Sequence, residues 1–160
     1  MSDLKKADLV LVAVNSPLLC GIYENFELQK SFSSSAKTSD ALLEVFTLVF
    51  EHLERLSLQL GAIFYARGPG SFTSLKLTHI FLQTLHLHRS VELYCADSFY
   101  FNQKAPIKAF GNKYFIKNAS EDILIKESQE RIEDRFALPL VLEPKDFGTQ
   151  NTPLYILPPL

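Results

Sequence analysis

A chain of 160 residues fits one compact domain or two small lobes, and 47% hydrophobic residues supply a core, which excludes a disordered chain. With 16 basic against 18 acidic residues the formal net charge is −2, which excludes an independent, strongly basic nucleic-acid binder. No apolar run approaches the ~20 residues of a membrane span, and "MSDLKKADLVLVAVNSP" carries no small-residue cleavage site, so a cytoplasmic protein without membrane contact is expected.

In chain order, residues 9–14 read as a buried strand, followed by turn chemistry at Asn15, Ser16 and Pro17. Strands follow over 18–23 and 26–32, broken at Glu24 and Asn25, and the serines at 33–35 form a loop. Thr38, Ser39 and Asp40 offer N-caps for a helix reaching about residue 59, which Gly61 ends. A strand over 62–66, a glycine-proline turn, a helix over 71–88 and a strand over 91–96 complete a βββαβαβ order, an α/β lobe with a mixed sheet. Cys20 and Cys95 fall inside strand-like runs and read as buried free thiols rather than a disulfide.

The two helices differ in amphipathicity. On a helical wheel the first gathers Leu42, Val45, Phe46, Val49, Phe50, Leu53 and Leu56 in one arc, opposite Glu44, Glu51, Glu54 and Arg55. The second spreads Leu75, Leu77, Ile80, Phe81, Leu82, Leu85 and Leu87 over about two-thirds of its circumference, leaving Lys76, His79, Gln83 and His86 as a narrow polar strip. A sheet covers one side of such a helix. A neighbouring helix, a second lobe or another chain must cover the other.

Beyond residue 96, runs over 106–110 and 113–117 read as strands joined at Gly111 and Asn112, and 123–126 as a further strand. The charged residues 128–136 suggest a short surface helix, and the tail after Pro144 is loop-like with a short extended run over 153–157. The expected division is a first lobe over 1–100 and an abbreviated second lobe with a C-terminal strand over 101–160.

The turn Gly68-Pro69-Gly70-Ser71 after a strand and before a helix invites a test for chemistry. A phosphate-binding P-loop needs G-x-x-x-x-G-K-[ST]; Gly68 and Gly70 both fail that spacing, and Pro69 removes a backbone donor. A nucleophile elbow needs a glycine two residues after the serine, where Thr73 stands. Ser71 therefore reads as the N-cap of the second helix, accepting the N–H of Thr73 or Ser74. His86 and His88 diverge by about 200° on a helix, and His79 and His86 lie ~10 Å apart by helical rise, so neither pair converges on a metal. No catalytic set, metal site or cofactor is expected.

"ARGPGSFTSLKL" over residues 66–77 resembles the "GPGSFTGLR" signature of the TsaB (YeaZ) family of the actin-like, hexokinase-like (ASKHA) superfamily. "LVLVAVNSP" resembles that family's opening strand, "YCADSFYFN" its strand-plus-serine segment, "IKAFGNKYFIK" its second-lobe hairpin and "TPLYIL" its closing strand. The resemblance implies an ASKHA-type βββαβαβ first lobe and an accessory protein rather than an enzyme. TsaB-like proteins support a TsaD-like catalytic subunit, which with the TsaE-like ATPase makes threonylcarbamoyladenosine beside the anticodon of tRNA. The chain is then expected to reach tRNA only through that complex, and to form a homodimer in the absence of TsaD. The family docks through its two first-lobe helices. Carried to this sequence, the interface draws on Leu42, Val45, Phe46, Val49, Phe50, Leu53, Leu75, Leu77, Thr78, His79, Phe81, Leu82 and Leu85, with Gly68, Pro69, Gly70, Ser71, Phe72 and Thr73 as the family-motif turn.

Departures from the pattern carry expectations of their own. Ser74 and Thr78 stand where the family has glycines, and Lys76 where it has arginine. Asn15 replaces the acidic residue that commonly ends the first strand, which argues against a metal-nucleotide site in this chain alone. The alternatives are a diverged actin-like phosphotransferase, a glycoprotease-like peptidase, or a homodimer with an unrelated regulatory role.

Overall fold

The computed structural model describes residues 5–156. A five-stranded sheet holds β1 (Lys6–Val12), β2 (Leu18–Glu24), β3 (Glu27–Ser34), β4 (Gln59–Ala66) and β5 (Glu92–Ala96) in the order β3-β2-β1-β4-β5. The β1–β2 and β2–β3 pairs are antiparallel, while β1–β4 and β4–β5 are parallel. The parallel crossovers are made by α1 (Thr38–Arg55) and α2 (Phe72–Arg89). The mixed α/β lobe expected from the sequence is present.

Alternation along β1 explains the layering. Leu9 and Leu11 point to one face and Val10 and Val12 to the other, all fully buried. Both helices cover the Leu9 face, with Val45, Phe46 and Val49 of α1 and Leu82 and Leu85 of α2 buried against it. Burying each such side chain stabilises the fold by ~1.5–3 kcal/mol. The Val10 face receives only Leu75 from the start of α2 and Phe101 from a short 3-10 turn among the described helical residues. Residues 136–147 lie across it instead, placing Phe136, Leu138, Leu142 and Phe147 against Val10, Val12, Tyr23 and Phe64. This cover is bonded to the β2–β3 hairpin, through Leu28 N–H to the Leu140 carbonyl (3.0 Å) and Leu142 N–H to the Phe26 carbonyl (2.7 Å). The Tyr23 hydroxyl donates to the Pro139 carbonyl. The division expected at residue 100 is thus crossed by the chain returning to the first sheet.

A second, antiparallel sheet orders β6 (Ile107–Lys108), β7 (Lys113–Lys117) and β8 (Ile123–Glu127) around a small core of Phe99, Ile107 and Phe115. Its β7 is tied back to the first lobe by Lys117, which pairs with Asp97 and, at 3.2 Å, with Glu121. Burial draws the Lys117 ammonium down, but hydrogen bonds to Asp97 and Glu121 outweigh it and leave it above the ordinary lysine value.

Five features differ from the sequence reading. Helix α1 ends at Arg55 rather than near residue 59, because Ser57 takes a left-handed turn (φ +55°) and Gln59 pairs with Lys6. Its N-cap is Lys37, without a side-chain cap bond; the Thr38 hydroxyl bonds Ser74 instead. Gly61 lies inside β4. Residues 128–136 form no helix, since their polar groups are taken by long-range partners: Ile132 N–H donates to the Tyr114 hydroxyl (3.0 Å) and the Asp134 carboxylate accepts Lys108 N–H (3.0 Å). Residues 153–156 form no strand, and Leu157 of the expected closing strand lies outside the described residues.

A partly buried carboxyl shapes the central pairing. A register shift between Ala7 and Leu9 of β1 leaves the Ala62 N–H outside the ladder, and Asp8 Oδ1 accepts it at 2.9 Å. Burial holds the Asp8 carboxyl above the usual carboxylate range.

Candidate functional site: the glycine turn and the helix groove

The turn joining β4 to α2 is built by close approach. A Cβ on Gly70 would lie 2.6 Å from both the Val14 Cβ and its carbonyl oxygen, so only glycine lets the turn meet the end of β1. Ser71 N–H then donates to the Val14 carbonyl (2.7 Å) and to Asn15 Oδ1 (3.0 Å). The Ser71 hydroxyl caps α2 by accepting Ser74 N–H at 3.4 Å, as its position before an apolar helix predicts. Gly68 has φ +124°, and a Cβ there would meet the Leu154 carbonyl oxygen at 2.4 Å. Arg67 donates from Nε to the Thr152 carbonyl (2.9 Å) and from Nη2 to the Thr152 hydroxyl (3.3 Å). Pro69 is buried, while Phe72 and Thr73 are exposed. The turn therefore spends much of its hydrogen-bonding capacity on the chain itself.

Asn15 explains its own departure from an acidic residue. Its amide oxygen accepts from Ser71, while its amide nitrogen donates to Asp134 Oδ2 at 2.8 Å. A carboxylate can accept but cannot donate, so it could not join these two neighbours. Ser74 and Thr78 are buried where the family pattern has glycines, and their hydroxyls bond Thr38 Oγ1 (2.6 Å) and the Ala13 carbonyl (3.5 Å). Small side chains with paired hydroxyls preserve the tight packing of α2.

On the helices, the structure sorts the nominated interface residues by burial. Leu42, Val45, Phe46, Val49, Leu53, Leu75, Thr78, Leu82 and Leu85 are buried within this chain and offer a partner little surface; Phe50, Leu77, His79 and Phe81 are half-buried. Outward apolar residues of the helices are Leu43 at 70% exposure and Ile80 at 52%, with Leu48, Phe72 and Leu87 exposed away from them. With Leu77, Phe81, Ser39 and Thr84, Leu43 and Ile80 line a groove of about 320 Å³ between α1 and α2. The Phe46 and Phe81 rings meet edge to face at 4.7 Å between the helices, and the Arg89 guanidinium over Phe50 (4.3 Å) joins the helix ends. The wheel missed Leu43 because it lies off the main arc. Its signal was the surplus itself, an apolar residue of α1 that the core arc did not need.

Among the described residues, no three His, Cys, Asp or Glu side chains come together as a metal-ligand set. His86 Nδ1 is bonded to the Val91 carbonyl (2.7 Å), and His52 Nδ1 lies 3.0 Å from Arg55. Cys20 and Cys95 are free and buried; burial pushes the Cys20 thiol up to about 12, an inert packing residue. Among the described residues no helix is long and apolar enough to cross a membrane.

These features define a mixed α/β fold with a helix pair on one sheet face and an unfilled groove between the helices. The fold is TsaB-like: YeaZ from Pseudomonas aeruginosa matches it with a TM-score of 0.58 at 15% identity, over 77% of this chain and 65% of that one. A second solved structure, an uncharacterized protein with similarity to peptidase YEAZ from Pseudomonas aeruginosa, matches with a TM-score of 0.58 at 15% identity, over 77% and 64%. The chain thus spans a little under two-thirds of the length of these neighbours. No protein-family model and no curated protein matches the sequence.

Proposed function

We propose that this chain is a non-catalytic accessory subunit that docks a TsaD-like catalytic subunit through its helix pair, in service of threonylcarbamoylation of the adenosine next to the tRNA anticodon. The observation that carries this reading is the apolar groove of Leu43, Leu77, Ile80 and Phe81, which no described part of the chain covers. The TsaB-like fold and the turn at Gly68–Ser71 support it. On this reading the lobe is of the ASKHA type with a reduced second lobe, and the chain works in the cytoplasm. A TsaE-like ATPase joins the complex, and tRNA is reached only through it.

The charges carried by the two helices suit a second copy when the catalytic subunit is absent. Helix α1 carries Asp40, Glu44, Glu51 and Glu54, whereas α2 has no acidic residue and carries Lys76 and Arg89. A two-fold pairing that sets α1 of one copy near α2 of the other is complementary in charge. Asn15, committed to Ser71 and Asp134 in place of a carboxylate, supports the non-catalytic role.

Co-elution of the purified chain with its TsaD-like subunit in size-exclusion chromatography tests the proposal, together with loss of the modified adenosine from tRNA when the gene is deleted. Absence of co-elution refutes it. Turnover of ATP by the isolated chain would instead favour a phosphotransferase.

A further inference from the structure

A relay of hydrogen bonds runs from the second sheet to the starts of both helices. In β6, Lys108 N–H donates to Asp134 Oδ1 at 3.0 Å, and Asp134 Oδ2 accepts from Asn15 Nδ2 at 2.8 Å. The same amide nitrogen reaches the Lys108 carbonyl at 3.4 Å. Asn15 Oδ1 accepts Ser71 N–H at 3.0 Å, and the Ser71 hydroxyl, capping α2, accepts Ser74 N–H at 3.4 Å. The Ser74 hydroxyl lies 2.6 Å from that of Thr38, the first residue of α1. Three of these links span 119, 56 and 36 residues of sequence, so they tie elements together rather than shape local turns.

The chemistry along the relay leaves little freedom. Asp134 offers acceptors alone, while Lys108 and Ser71 present backbone N–H groups. Asn15 is the member that accepts on one side and donates on the other, as only a side-chain amide can here. Asn15 and Asp134 are half-buried and Ser74 is buried, so water replaces a lost partner poorly. The far end of the relay adjoins the groove. Thr38 precedes Ser39 and Ser74 lies one helical turn before Leu77, and both Ser39 and Leu77 line it.

We propose that Asp134 is a positioning residue for the helix pair. Through Asn15 and Ser71 it ties the second sheet to the first turns of α2 and α1, and so fixes the end of the groove at Ser39 and Leu77. The second sheet is then a brace for the docking surface, and a surface already ordered loses less freedom when a partner binds. The use of this brace rests on the proposed docking role, whereas the coupling itself is a property of the isolated chain.

Amide exchange on the isolated chain at pH 7 tests the coupling. Asp134→Asn leaves one acceptor where two donors need one each, and Asn15→Asp sets two carboxylates together. Each is expected to speed exchange at least fivefold at Ser74 and Ala41, whose N–H groups close the first turns of α2 and α1 on Ser71 and Lys37. Combining the two restores the relay with roles exchanged. The carboxylate at position 15 accepts from Ser71 and from the amide at 134, whose oxygen keeps Lys108 N–H. Both rates are expected to return within twofold of the wild type, with Val49 and Leu82 unchanged as the sign of an intact core. Where a single variant loosens the whole chain, so that Val49 and Leu82 quicken too, rescue by the combination still decides. Ser74→Ala cuts the relay before α1; in that background Asp134→Asn is expected to act on Ser71 but no longer on Ala41. Single variants with wild-type rates, a combination no slower than the single variants, or an Ala41 effect that survives Ser74→Ala overturns the inference. None of these readouts needs a catalytic subunit, so a failure of the proposed docking is seen separately.

Discussion

Asp8 is a partly buried carboxyl held to one backbone N–H, and its pKa is raised by burial. A carboxyl with a raised folded pKa disfavours the native state as pH climbs from its unfolded value through its folded one. Asp8→Asn keeps an oxygen for Ala62 N–H and removes the charge. It is therefore expected to be more stable than the wild type at pH 7 and equal to it below about pH 3, where the unfolded carboxyl is protonated as well. Urea denaturation at the two pH values checks this. Asn15→Asp has the opposite logic, setting a second carboxylate beside Asp134 and losing a donor. A loss of about 1–3 kcal/mol at pH 7 is expected from an unpaired charge, shrinking as acid protonates the pair. Neither role was legible in the sequence. Asn15 was visible as an absent carboxylate, but its partner Asp134 lies far along the chain in a segment that reads as a helix.

At the scale of elements, the strong periodicities were legible and the ends were not. The arc of α1 and the N-cap Ser71 stand where local pattern places them, and the buried strand expected over 9–14 exists but runs over Lys6–Val12. Residues 56–61 were misplaced because helical spacing runs on past Arg55, whereas pairing of Gln59 with Lys6 ends the helix in favour of β4. Residues 128–136 failed for the same physical reason: contacts distant in sequence set their conformation. The groove was legible as a surplus of apolar residues on α2, but not as a list of names, since a wheel gives direction without saying what lies there. This sorting has a consequence for mutants. Leu43→Asp and Ile80→Asp, at exposed positions, are expected to change stability by no more than about 0.5 kcal/mol. Leu82→Asp, at a fully buried position, is expected to prevent folding by burying an unpaired charge. Thermal melts of the three variants check the division.

At the scale of the molecule, a sheet with a different cover on each face leaves the helix pair free to work outward. The Val10 face is closed by the chain's own residues 136–147, and the Leu9 face by α1 and α2. The groove between those helices is left uncovered by the described residues, and the proposed function rests on it. Isothermal titration of the purified chain with its TsaD-like catalytic subunit is the most direct test, comparing the wild type with a Leu43→Asp, Ile80→Asp double variant that melts like the wild type. The account predicts a stoichiometric complex with the wild type and at least a hundredfold weaker binding by the double variant. Equal binding by both proteins, or no binding by the wild type, would contradict it.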